Sequence, residues 1–146
     1  MVQLIKGVTL TALKVIENEK GNIYHALKNS DPCFSEFGEA YFSTVQQNAF
    51  KGWKQHQKMR LNIVVPVGAI RFYFVIENSF GNTPETASVE LSPSNYLRLT
   101  VEPGVWMGFE GIAEGPNVLL NIASIPHNPA ESMNKDKEVW MYLFEN

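Results

Sequence analysis

The chain has 146 residues, a formal charge of −3 and a hydrophobic share of 45%, rich in aromatic rings. That is the length of one domain (1–146), able to close a core without a disulfide or metal staple. Scattered basic residues under a net acidic balance argue against a nucleic-acid partner. The single cysteine, Cys33, cannot form an internal disulfide and suits a reducing compartment. No apolar run reaches the ~18 residues of a membrane span, and the N-terminus lacks the pattern of a signal peptide. The expectation is a cytoplasmic protein with no membrane partner.

Taken in order, the chain reads as short Val-, Ile-, Phe- and Tyr-rich runs between Pro and Gly breaks, the signature of a sandwich or barrel. Ser30-Asp31-Pro32 predicts a short helical turn, since Ser or Asp before Pro is a start signal. Glu39 to Gln47 and Phe50 to His56 are candidate strands. Leu61 to Val65 is a strand, and Pro66-Val67-Gly68 then predicts a hairpin turn into Ala69–Glu77. In that run Ile70, Phe72, Phe74 and Ile76 face one way, and Arg71, Tyr73, Val75 and Glu77 the other. Ser92-Pro93-Ser94 is a second candidate helical turn. Tyr96 to Val101, Val105 to Glu110 and Val118 to Ala123 are further strands, and Val139 to Phe144 is predicted as the last.

The densest cluster of reactive side chains is Lys51, Lys54, His56 and Arg60. On a strand, residues 52, 54 and 56 share one face, so Lys54 and His56 point together into a barrel or together out of it. A desolvated lysine can act as a base, and histidine titrates near neutrality. Either residue type suits removal of a proton beside a ketone.

Several segments, in order, resemble the dTDP-4-dehydrorhamnose 3,5-epimerase family. Gly7-Val8 with Gly21-Asn22-Ile23-Tyr24-His25 falls where that family has its opening strand and "RGFF" turn. Glu39-Ala40-Tyr41-Phe42-Ser43 matches the strand leading into its site. Lys51-Gly52-Trp53-Lys54-Gln55-His56 falls on "RGLHxQ", and Gly68 to Asn78 on its next hairpin. Leu91-Ser92 through Tyr96, with Pro103 to Phe109, is similar to "LS…P-x-G-x-x-H-G-F". Leu120-Asn121 through Pro129-Ala130-Glu131 is similar to "Y…Y-x-P-x-x-E". The resemblance spans nearly the whole chain. It implies an all-β cupin, a double-stranded β-helix (jelly-roll barrel) with only short helical turns. It also implies a homodimer, a nucleotide-sugar ligand and no cofactor; no metal is expected, because where metal-binding cupins bring several His and a Glu this chain has only His56, with Met107 near the second position.

Against the family pattern, Lys54 stands at the position of the basic His, with His56 two residues on. Asn121 stands near the acidic Tyr, Leu61 near a Lys, and Met107 at the His of "HGF". The resemblance implies a dyad Asp near the chain end, for which Asp136 is the candidate. Two functions follow. One is an epimerase or isomerase of a 4-keto-6-deoxy sugar nucleotide. In it His56 or Lys54 takes the proton, Lys54, Lys51 or Arg60 stabilises the enolate, and Tyr41 donates. The other is an inactive sugar-nucleotide-binding module of a polysaccharide pathway. Expected substrate-binding residues are Lys51, Arg60, Asn62 and Asn121, with His25 and Lys28 near the phosphates and Trp106 stacking on a ring.

Overall fold

The computed structural model describes residues 1–78, 81 and 83–145. Its strands are β1 (Val2–Ile5), β2 (Val8–Ala12), β3 (Val15–Ile16), β4 (Ile23–Tyr24), β5 (Glu39–Thr44), β6 (Phe50–His56) and β7 (Leu61–Val67). They continue as β8 (Ile70–Ile76), β9 (Glu85–Leu91), β10 (Leu97–Val101), β11 (Trp106–Gly111), β12 (Val118–Ala123) and β13 (Ser132–Asn134). Two sheets face each other. One runs β1-β2-β10-β7-β12-β5 and the other β13-β6-β11-β8-β9, with β3-β4 as a small separate pair. Every pairing within them is antiparallel. This is the expected all-β jelly roll. Among the described residues no helix is long and apolar enough to cross a membrane.

The alternation in β8 shows how the core forms. Ile70, Phe72 and Phe74 turn between the sheets and are fully buried, meeting Leu99, Ile63 and Leu91 there. Tyr73 and Val75 turn outward but are buried too, under a second cluster with Trp53, Trp106 and Trp140. Three one-turn 3-10 helices complete the chain: Pro129–Glu131, Lys137–Val139 and Met141–Phe144.

Three local expectations change. Val139–Phe144 is not a strand; it lies in the two last 3-10 turns. Its apolar side chains pack onto the outside of the five-stranded sheet, with Trp53 and Trp140 rings edge-on at 5.8 Å, so its backbone has no strand to pair with. Pro66-Val67-Gly68 does not close a hairpin. β7 and β8 belong to different sheets, and the turn is a corner between them. Gly68 (φ +78°) fits because a Cβ there would lie 2.4 Å from Asn117 Oδ1. Pro66 sits beyond the part of β7 that pairs with β10, so its missing N–H breaks no rung on that side. The Ser30 and Ser92 segments are turns, not helices.

Candidate active site

Between the sheets lies a cavity of about 420 Å³, lined by residues of both. Its apolar walls, including Met59, Leu61, Ile63, Val101 and Leu119, are continuous with the core. The five-stranded sheet contributes Lys51, Lys54 and His56 from β6. The six-stranded sheet contributes Tyr41 and Ser43 from β5 and Asn121 from β12. Apolar walls with a few converging polar groups are the usual make-up of a small-molecule site.

A bulge in β6 brings Lys51 onto the same wall as Lys54 and His56. Met107 pairs with Lys54 but Phe109 pairs with Lys51, so two steps along β11 match three along β6. The extra residue falls at Gly52 (φ +132°), whose Cβ would lie 2.6 Å from the Cα of Gly108. Phe50 and Trp53 turn to the outer aromatic cluster, while positions 51, 54 and 56 turn inward. Simple alternation from residue 52 finds two of these three.

His56 is the one cavity side chain with a buried ionic partner among the described residues. Its Nδ1 is hydrogen-bonded to Glu131 Oε1. Glu131 is 6% exposed and ends the turn that Asn128 caps by accepting from the Ala130 N–H at 3.0 Å. Its other oxygen accepts the N–H groups of Gln57, Lys58 and Met59 at 3.1, 3.0 and 3.3 Å. Burial pushes this carboxyl up. The His56 hydrogen bond and the Lys58 and Met59 amides outweigh it, and the group lies below the ordinary carboxylate value. An ionised Glu131 keeps the proton on Nδ1 and leaves Nε2 as the basic nitrogen. Asp136, the candidate for a dyad carboxylate, is a surface residue, and the carboxylate bonded to His56 is Glu131. The signal was the Asn-Pro-Ala-Glu turn, which sets a charged side chain at the end of a rigid, capped loop.

The other cavity groups have distinct settings. Lys51 Nζ donates to Ser43 Oγ (3.2 Å) and to the Thr44 carbonyl (2.6 Å), tying the two sheets across the opening. Lys54 is exposed and has no ion-pair partner among the described residues. Tyr41 and Asn121 are direct register partners, and Asn121 Nδ2 donates to the Tyr41 hydroxyl at 3.0 Å. Asn134 and Glu102 also line the cavity, and sequence reasoning had named neither.

Five expected binding residues lie elsewhere. Arg60 is ion-paired with Glu102 (2.8 Å) and donates to the Cys33 carbonyl (3.0 Å), so its guanidinium is already engaged. Asn62 lies on the opposite face of β7 from Leu61 and Ile63, buried and bonded to Thr100 Oγ1 and the Cys33 carbonyl. His25 and Lys28 sit in the segment that Arg98 and Tyr96 hold against the six-stranded sheet. The His25 carbonyl accepts from the Tyr96 hydroxyl, and Arg98 donates to the Ala26 carbonyl and Asp31. Trp106 faces the outer cluster with its Nε1 on Glu77, 1% exposed, and cannot stack on a cavity ligand. Among the described residues no three His, Cys, Asp or Glu side chains converge as metal ligands.

Two antiparallel sheets closed on a cavity, with a histidine–carboxylate pair at its wall, define an enzyme-type cupin barrel. Comparison of structures narrows the class. A dTDP sugar isomerase from Desulfovibrio desulfuricans G20 is 33% identical, with a TM-score of 0.88 over 95% of this chain and 90% of that one. A dTDP-4-dehydrorhamnose 3,5-epimerase from Sulfolobus tokodaii matches at 19% identity and TM-score 0.81, over 94% and 81%. A sugar 3,4-ketoisomerase from Thermoanaerobacterium thermosaccharolyticum, solved with TDP, matches at 21% and 0.74, over 94% and 93%. The chain belongs to this family of dTDP-sugar isomerases and epimerases. No family profile and no curated protein sequence matches it.

Proposed function

We propose that the protein is an isomerase of a 4-keto-6-deoxy sugar nucleotide, working by proton abstraction from the carbon beside the ketone. The observation that carries this reading is the His56–Glu131 pair on the cavity wall. Glu131 fixes the imidazole so that Nε2 faces the ligand and stabilises the imidazolium formed when it takes the proton. The electron pair left behind moves onto the ketone oxygen. Lys54, an exposed side chain without an ion-pair partner among the described residues, stabilises that enolate by charge; Lys51 supplements it at the opening. Lys54 is exposed, and a hydrated ammonium suits charge stabilisation rather than proton removal, so the base is His56. Tyr41 is the donor for the returning proton.

A 3,4-ketoisomerase similar to this chain was solved with TDP-4-keto-6-deoxyglucose, and that compound is the first substrate to test. In deuterated water the protein is expected to exchange deuterium into the carbon beside the ketone, read by proton NMR. Binding of the compound with no exchange would instead favour a module that holds sugar nucleotides without acting on them. The reading includes a homodimer, supported by the exposed Phe42 (70%) on edge strand β5. Sedimentation equilibrium reporting a monomer at micromolar concentration would remove that part.

A further inference from the structure

Asn121 is 2% exposed and lies on the cavity wall, yet one end of its amide has no partner among the described residues. Nδ2 donates to the Tyr41 hydroxyl, while Oδ1 is buried and accepts no hydrogen bond from the described residues. A buried acceptor left unmatched is costly, and such groups in native proteins call for a specific explanation. A ligand hydroxyl in the cavity supplies one.

The direction of the Asn121–Tyr41 hydrogen bond matters as much as its length. Because the amide N–H gives its proton to the phenol oxygen, Tyr41 does not spend its own O–H on Asn121, and that proton is free for the cavity. Tyr41 and Asn121 stand on the six-stranded sheet, whereas His56 stands on the five-stranded sheet facing it. The two residues therefore approach the cavity from opposite sheets.

We propose that Asn121 is a positioning and specificity residue. Its Nδ2 holds Tyr41 as the proton donor on the face opposite His56, and its Oδ1 accepts a hydrogen bond from a hydroxyl of the sugar. This rests on the isomerase reading above and adds a stereochemical outcome to it. His56 Nε2 takes the proton from the carbon beside the ketone, and the C–H electron pair becomes the enolate. The enolate carbon then takes the Tyr41 proton on the other face, and its double-bond electrons form the new C–H bond. The resulting Tyr41 phenolate regains a proton from water and the His56 imidazolium releases one, so the balance closes. The configuration of the carbon inverts.

The test uses the whole protein and TDP-4-keto-6-deoxyglucose in deuterated water, with proton NMR reading both deuterium content and configuration. Wild-type protein is expected to give deuterium in the inverted product. Tyr41→Phe removes the donor, and Asn121→Asp offers an acceptor that captures the Tyr41 O–H. In both, exchange is expected to persist with configuration retained, and the ratio of inversion to exchange to fall at least tenfold. A purely structural role would lower both rates together, and that parallel loss overturns the proposal. Tyr41 is on an exposed edge strand, so Tyr41→Phe remains informative if Asn121→Asp does not fold. Calorimetry on Asn121→Leu, close in shape to Asn, tests the second contact. Affinity for the sugar nucleotide should fall at least tenfold while affinity for dTDP alone holds; equal losses would overturn it. Wild-type exchange with retained configuration removes this inference alone, whereas binding without any exchange removes the isomerase reading as well.

Discussion

A carboxylate helps an imidazole only while it stays ionised, and Glu131 is held ionised by three backbone N–H groups and His56 against the cost of burial. Because its folded-state value is depressed, the stabilisation it gives is present above the ordinary value of 4.5 and is lost as pH falls below that towards the folded value. Glu131→Gln keeps an acceptor for the amides but removes the charge. Its denaturation midpoint should therefore lose the part of the acid sensitivity below pH 4.5 that wild type shows, measured by urea titration at several pH values. Turnover should drop by about 10²–10⁴-fold, since the neutral amide no longer enforces the tautomer or stabilises the imidazolium. At this scale the sequence was partly legible. Lys54 and His56 could be placed on one face from the strand period, whereas Lys51 joins them only through the bulge at Gly52. Glu131 was missed as the partner because its turn shows locally, while nothing local shows that it meets His56, 75 residues away. Trp106 and Asn62 were misassigned because alternation tells which residues share a face, not which face is inside.

Strand β6 carries the site because it changes phase. Gly52 adds a residue without a side chain where β6 and β11 come closest, and everything beyond it turns over. Gly52→Ala would put a methyl group 2.6 Å from the Cα of Gly108, at a φ that favours glycine. The expected cost is about 1–3 kcal/mol, read from the denaturant midpoint, with Lys51 and His56 no longer on one wall. Among the elements, strands with strict alternation, such as β8, are the ones a sequence reader finds. The run 139–144 has strand-like composition, but its partner is a surface of aromatic rings rather than a backbone edge. Composition cannot distinguish these. The 61–77 region misleads for a related reason: a Pro-Gly turn looks the same whether it joins paired strands or changes sheets.

For the whole molecule, the outer aromatic cluster explains why the five-stranded sheet is apolar on both sides. Trp140 is 6% exposed, with Trp53 and Trp106 rings at 5.8 and 5.2 Å and the Lys135 ammonium 4.6 Å from its own ring. Trp140→Ala should cost about 3–5 kcal/mol, measured by urea denaturation. The same stretch of chain carries Glu131 to His56 and Asn134 to the cavity, so the packing of this segment and the integrity of the site are mechanically joined. Fold class was readable from the many short strands; strand order was not, because it depends on contacts between distant parts of the chain.

That strand order has a kinetic side. Within the two large sheets, every neighbouring pair except β1-β2 joins a strand before residue 78 to one after residue 83. Neither half can satisfy its rungs alone, so no early fragment has a stable resting state. The loops must close before any rung rewards them, which predicts refolding on the slow scale of milliseconds to seconds, at about the pace of other β sandwiches. Stopped-flow fluorescence of the three tryptophans, all in the outer cluster, would then report that cluster forming in a single late event.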